Sequence, residues 1–225
     1  MRPRAPAAPL APALVPPLAP IPRSFYGRDS LDVAPELLNI LVVAGERVGR
    51  IVEVEAYRGE EDPASHAYRG MTGRNATMFG PPGHLYVYLS YGMHWCANVV
   101  CGADGLARAV LLRAVAPVAG VEAMRAARPA ARRDRDLGNG PGKLGQALGL
   151  TRDHDGADLV TGDRGIRLAS DGTPPPRRPE RGNRVGISAG TEHRWRWWVA
   201  GDPNVSRPPR PAPGPGTVDA SGRGC

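Results

Sequence analysis

Two glutamates, Glu53 and Glu55, alternate with valines in the stretch "VEVEAY" and are followed by Tyr57. In an extended strand, a period of two puts Glu53, Glu55 and Tyr57 on one face and Val52, Val54 and Ala56 on the other. A carboxylate kept near aromatic rings and away from bulk water gains proton affinity and can act as a general base. The competing reading is a half-buried strand whose glutamates merely face solvent. The loop that follows carries "DPASH", which brings His66 toward the same strand end, and long loops at strand ends are where sites tend to sit.

A second group is aromatic. "LYVYLSYG" holds Tyr86, Tyr88 and Tyr91, half the six tyrosines of a chain with only two phenylalanines and four tryptophans. Tyr86 and Tyr88 share a strand face, while Tyr91 has the opposite parity but stands at a turn and can project from its tip. Such rings can stack on flat bases, at about 1–3 kcal/mol per base; the alternative is ordinary packing, since tyrosine favours strands. "GNGPGKLG" (138–145) lacks the spacing of a nucleotide phosphate loop, and Leu144 stands where Ser or Thr would hold magnesium. It keeps a helix start with Pro141 early and Lys143, the only lysine among 29 basic residues, beside it. That arrangement suits metal-free phosphate contact as well as it suits a plain turn.

These groups need elements to hold them. Helical spacing of apolar residues predicts a helix over 31–42, with its N-cap near Asp32. Strands are predicted over 47–57, 107–118, "RVGISAG" and "WRWWVAG", and a hairpin joins "HLYVYLSYG" to "WCANVVCG" around Gly92-Met93-His94. A basic helix is expected over 120–135, with a break at Pro129. In "WRWW", Trp195 and Trp197 share one face, as core or edge packing requires. Strands mixed with helices and hairpins indicate an α+β fold in a single domain over 23–204. Residues 1–22 and 205–225 read as disordered Pro-rich tails.

Bulk properties narrow the partners. The chain of 225 residues carries a formal charge of +7 and a pI near 9.9, which favours an anionic partner. Cys96, Cys101 and Cys225 form neither a disulfide framework nor, with His94, a familiar metal site. No apolar run is long enough to span a bilayer, and prolines from position 6 to 20 break any signal-peptide helix. A cytoplasmic protein without metal, cofactor or membrane is expected. Nucleophile-elbow, dinucleotide-fingerprint and zinc-deaminase patterns are absent.

Taken in order, "VEVEAYRGEEDPASH", "RNATMFGPPGHLYVYLSYGMHWCANVV", "VLLRAVAP", "GPGKLGQAL" and "RVGI" resemble the alkyladenine (3-methyladenine) DNA glycosylase family over roughly residues 25–200. The resemblance implies a mixed α/β domain with a curved, mainly antiparallel sheet flanked by helices. It implies a monomeric, nucleoid-associated base-excision repair enzyme that flips damaged purines from double-stranded DNA and hydrolyses their N-glycosidic bonds. Glu55 then matches the general base, Arg113 the arginine that helps place the attacking water, and Val185 a backbone carbonyl beside it. Tyr57, His66 and Tyr88 match residues that contact the extruded base, and Asn98 the residue that clashes with the 2-amino group of guanine. Tyr91 matches the side chain that fills the gap in the duplex. Met93 in the same turn, Lys143 and Arg152 complete the DNA-contacting set. With Lys143 assigned to phosphate, no side-chain amine is left for a Schiff base, so a monofunctional hydrolase is expected. Asn39 stands where the resemblance leads one to expect glycine, Pro63 stiffens the loop before His66, and 126–136 departs from the pattern. Without chemistry at Glu55, the tyrosine strand would instead be the stacking platform of a nucleic-acid binder.

Overall fold

"RVGRIVEVEAYR" forms the longest shared ladder of the protein. Its β-branched residues suit a pleated, two-sided position, and in the computed structural model, which describes residues 18–206, every residue from Ile51 to Ala56 is buried. In chain order the elements are β1 (Ala19–Pro20), α1 (Arg23–Tyr26), α2 (Ser30–Glu36), β2 (Leu41–Ala44), β3 (Arg47–Arg58), β4 (His84–Ser90), β5 (His94–Cys101) and β6 (Arg108–Ala119). They continue with α3 (Val121–Ala127), α4 (Pro141–Leu148), β7 (Ala157–Asp158), β8 (Ile166–Ser170), β9 (Glu180–Gly182) and β10 (Arg196–Trp198). All strands join one curled antiparallel sheet in the order β1-β8-β2-β3-β6-β5-β4-β7. β2 pairs with the first third of β3, and β10, itself paired with β9, takes over the same edge opposite Glu53–Glu55.

The two sheet faces divide the labour. Val54, Ala56, Leu85, Val87, Ala97, Val99, Val110 and Leu112 join Val33, Leu37 and Leu38 after α2 and Leu144 and Leu148 of α4 in the main core. On the opposite face, Tyr86, Val100 and Ala109 form a smaller cluster with Ala67 and Met78, which holds the long loop after β3 against the sheet. The β3–β6 ladder is irregular where Glu53 pairs with Ala114 and Val54 with Leu112. Across that point core membership changes parity: Ile51 rather than Val52 packs with Val54 and Ala56, a correction to simple alternation. Ladder irregularities of this kind often re-aim side chains beside active sites.

α4 approaches β5 closely. A Cβ on Gly145 would lie 2.1 Å from the Trp95 carbonyl oxygen, and one on Gly142 2.7 Å from His94 Cβ. Gly142 and Gly145 of "GPGKLGQAL" are therefore required by helix–strand contact and not only by a turn.

Several expected elements differ. The helix foreseen over 31–42 is only α2, capped by Asp29, whose side chain accepts from the Leu31 amide, and not by Asp32. The run Ile40, Val42 and Val43 prefers the strand β2, and the chain turns into it at Asn39, which has φ 72°. Asparagine tolerates this left-handed conformation best after glycine, and the Asn39 amide donates to the Pro174 carbonyl at 2.8 Å, which accounts for asparagine where glycine was expected. The basic helix of 120–135 is shortened to α3, which stops ahead of Pro129. "RVGISAG" is a loop, because Arg184 and the Val185 amide bond to Asp62 and Glu55 and not to a neighbouring strand. Ala19 and Pro20, assigned to a tail by composition, pair with Ser170 and Ala169. Ile21 and Ser206, also assigned to the tails, are buried, and residues 1–17 and 207–225, most of the expected tails, lie outside the described residues.

Candidate active site

Strands β3, β6, β5 and β4 lie side by side, so their non-core residues form one surface: Glu55 and Tyr57, Leu111 and Arg113, Cys96 and Asn98, Tyr86 and Tyr88. Above it opens a cavity of about 520 Å³, bounded by Tyr57, His66, Tyr88, Asn98, Arg113 and Val185, with Tyr91 and Pro141 at its margin. That volume is within the range of small-molecule sites.

Glu55 is fully buried and tied to three lining residues. The Tyr57 hydroxyl donates to its Oε2 at 2.9 Å, the Val185 amide donates to Oε1 at 2.7 Å, and Arg113 Nη1 lies 3.2 Å from Oε1. Burial raises its pKa above the usual carboxylate range, opposed by Arg113, the Val185 amide and Tyr57. Burial also raises the Tyr57 pKa, with Glu55 adding to it, so the phenol keeps its proton and donates. Glu53, two residues away on the same face, is equally buried but is held mainly by groups that do not line the cavity. Its carboxylate accepts from Arg113 Nε (2.8 Å), Arg196 Nε (2.7 Å), Ser206 Oγ (2.8 Å) and the Ser206 amide (2.6 Å).

The aromatic wall comes from β4 and the loop. Tyr86 and Tyr88 stack with ring centres 5.5 Å apart, and His66 meets Tyr88 edge-on at 4.5 Å. His66 Nδ1 shares a hydrogen bond of 3.3 Å with the Tyr86 hydroxyl. Burial, then Arg74, lowers the His66 pKa, so the imidazole is neutral near pH 7. Asn98 is buried on β5, with its amide Nδ2 donating to the Tyr86 carbonyl at 3.3 Å.

The remaining expected residues are spread around the rim. Tyr91 is 87% exposed, and both it and Gly92 have positive φ (50° and 69°) in a turn closed by the Met93 amide on the Ser90 carbonyl. Met93 is 68% exposed beside it. Lys143 sits in the first turn of α4 with Nζ donating to Asn139 Oδ1 at 2.8 Å. Arg152 does not line the cavity; it borders a neighbouring groove with Arg74, Tyr88 and Trp95.

The model of the methylpurine-DNA glycosylase family matches residues 24–203. The chain belongs to that family. A Burkholderia lata protein named "Putative 3-methyladenine DNA glycosylase" is 56% identical over 193 residues, covering 85% of this chain and 93% of its own length. Proteins of the same printed name from Streptomyces avermitilis and Methanoculleus marisnigri are each 48% identical, covering 83% of this chain and 91% and 98% of their own. As a member of this family, the chain is a DNA repair hydrolase acting on N-glycosidic bonds of bases in DNA.

Sequence reasoning missed several residues around the centre of this glycosylase. Arg184 and Asp62 are both fully buried and form a two-pronged ion pair. The Arg184 guanidinium also donates to the Ala56 carbonyl and lies between the rings of Tyr57 (4.6 Å) and Trp195 (5.0 Å). It thereby anchors the loop that delivers the Val185 amide to Glu55. Asn75 organises the His66 loop, donating to the His66 and Gly70 carbonyls and accepting from the Thr72 amide and hydroxyl. Arg184 is the first residue of the quoted "RVGI" and was within reach of that motif. Ser206 stands at the start of a Pro/Arg-rich run, with no periodicity or motif to distinguish it.

Proposed function

We propose that this glycosylase turns a damaged purine nucleotide out of duplex DNA into the cavity and hydrolyses its N-glycosidic bond with a water activated by Glu55. One observation carries the choice of base: Glu55 is bonded to three groups, Tyr57, Arg113 and the Val185 amide, all of which line the cavity, whereas Glu53 accepts from four donors, three of them from Arg196 and Ser206, which do not. An acceptor buried beneath the cavity and raised in proton affinity is suited to take a proton from water. As the base departs, positive charge builds on the sugar, and the same carboxylate opposes it. Arg113 orients the water, with the Val185 carbonyl as a second anchor.

The lesion rests among Tyr57, His66 and Tyr88. Purines alkylated at N3 or N7 are cationic, which eases their departure and draws them to aromatic faces. Asn98 rejects guanine through its 2-amino group, while Tyr91 and Met93 enter the duplex and offset part of the unstacking cost. The reaction stops at the abasic site, since Lys143 is the only lysine and serves the DNA backbone with Arg152.

Duplexes carrying 3-methyladenine or hypoxanthine, treated with protein and then alkali, test this reading. Wild type is expected to yield strand breaks and Glu55→Gln to lose about 10²–10⁴-fold in rate, with no adduct trapped by borohydride. Tight binding without product from either protein would favour a non-catalytic binder, and undiminished Glu55→Gln activity would remove Glu55 from the mechanism.

A further inference from the structure

Glu53 is buried as deeply as Glu55, yet the chemistry just described gives it no step. Its surroundings show what it does to its neighbour. Arg113 is gripped on two sides: Nε donates to Glu53 Oε1 at 2.8 Å, and Nη2 donates to Ser206 Oγ at 3.2 Å. Ser206 passes the contact on, its hydroxyl donating to Glu53 Oε1 at 2.8 Å and its amide to Oε2 at 2.6 Å. Arg196 closes the far side, with Nε on Glu53 Oε1 at 2.7 Å and Nη2 on the Ser206 carbonyl at 3.3 Å. Only Nη1 of Arg113 is left for Glu55. The orientation of the guanidinium is therefore determined from behind, by groups outside the cavity.

We propose that Glu53, clamped by Ser206 and Arg196, is a positioning residue that holds Arg113 with its Nη1 edge toward Glu55. Ser206, the last of the described residues, thus helps complete the active site. The proposal rests on the reading of Glu55 as the base. A planar guanidinium has one useful edge per partner, and a shift of about 1 Å at a reacting centre can cost on the order of 10²-fold in rate.

The arrangement also couples the two carboxylates. Glu55 is faced by Glu53 and Tyr57 from its own strand, Arg113 from β6, Arg184 and the Val185 amide from the loop, Tyr88 from β4, and Arg196 as its register partner on β10. Glu53 opposes ionisation of Glu55 through its charge and also shares Arg113 with it. Glu53→Gln removes the repulsion and leaves Glu55 as the one carboxylate paired with Arg113, so both changes favour ionised Glu55.

Single-turnover excision from a hypoxanthine duplex, followed across pH, tests the proposal on Glu53→Gln and Ser206→Ala proteins shown to be folded by circular dichroism and thermal melting. Glu53→Gln is expected to lose about 10–100-fold in rate, to bind lesion duplex as wild type does, and to move the acid limb of its rate profile to lower pH. Ser206→Ala keeps the backbone donor and is expected to lose rate to a lesser degree with binding unchanged. A folded Glu53→Gln protein that excises at the wild-type rate, or one whose acid limb does not move, would overturn the proposal. If that variant does not fold, wild-type rate in Ser206→Ala would overturn it. Glu55→Gln run in parallel separates the two readings: retained excision there removes the base assignment, while its loss beside an unmoved limb in Glu53→Gln removes only the positioning role.

Discussion

At Glu55, stability and function pull in opposite directions. Its folded-state pKa is raised, chiefly by burial, so the folded protein holds this proton more tightly than the unfolded chain. The sign follows: ionising Glu55 costs the fold nothing below the unfolded carboxylate range, and the cost appears as pH rises through the raised folded value. Glu55→Gln is therefore expected to melt no lower than wild type at neutral pH, with any advantage shrinking toward acid pH in a pH series of thermal melts. Excision by wild type should rise with pH over the same interval, because only the ionised form accepts a proton. The alternation in "VEVEAY" put both glutamates on one face but could not say which was the base. That distinction comes from donors remote in the chain, Val185 on one carboxylate and Ser206 on the other, which no local pattern encodes.

Elements hold these residues through close backbone contact. Gly145→Ala would push a methyl carbon against the Trp95 carbonyl, 2.1 Å away, and α4 would have to move off β5. Overpacking of this kind costs about 1–3 kcal/mol, or roughly 2–4 °C in Tm per kcal/mol for a domain of this size. Gly73→Ala, with open space around it and no left-handed φ, is the control expected to melt as wild type does. Strands 47–57 and 107–118 and the tyrosine hairpin were legible because β-branched and aromatic residues are concentrated in short runs bounded by turn residues. The helix over 31–42 was overcalled because its apolar spacing fits either element, and only the β-branched Ile40-Val42-Val43 run and the turn at Asn39 decide for a strand. "RVGISAG" was misread for a related reason: the chain bends at Gly186, with φ 76°, and the Val185 amide is held by the Glu55 side chain and not by a ladder.

Over the whole molecule, the positive balance of +7 predicts binding to duplex DNA that weakens steeply with salt, since each neutralised phosphate releases counterions. Lys143→Ala should lower the slope of log affinity against log salt by about 0.9. The change should be the same on damaged and undamaged duplex in fluorescence anisotropy titrations, because a phosphate contact reads no base. An unchanged slope would take Lys143 out of the interface. Composition made an anionic partner legible, but not the direction of approach; the proposed approach over the cavity mouth rests on Tyr91 lining that cavity.

The Tyr91 turn has a bearing on how fast undamaged DNA can be inspected. A tyrosine held at positive φ carries strain on the order of 1–3 kcal/mol, borne once when the hairpin folds. If Tyr91 enters the duplex as proposed, its exposed ring would meet each base pair from a turn already closed by the Met93 amide on the Ser90 carbonyl. The time spent at a sound base would then be limited by the opening of the duplex and not by the formation of that turn.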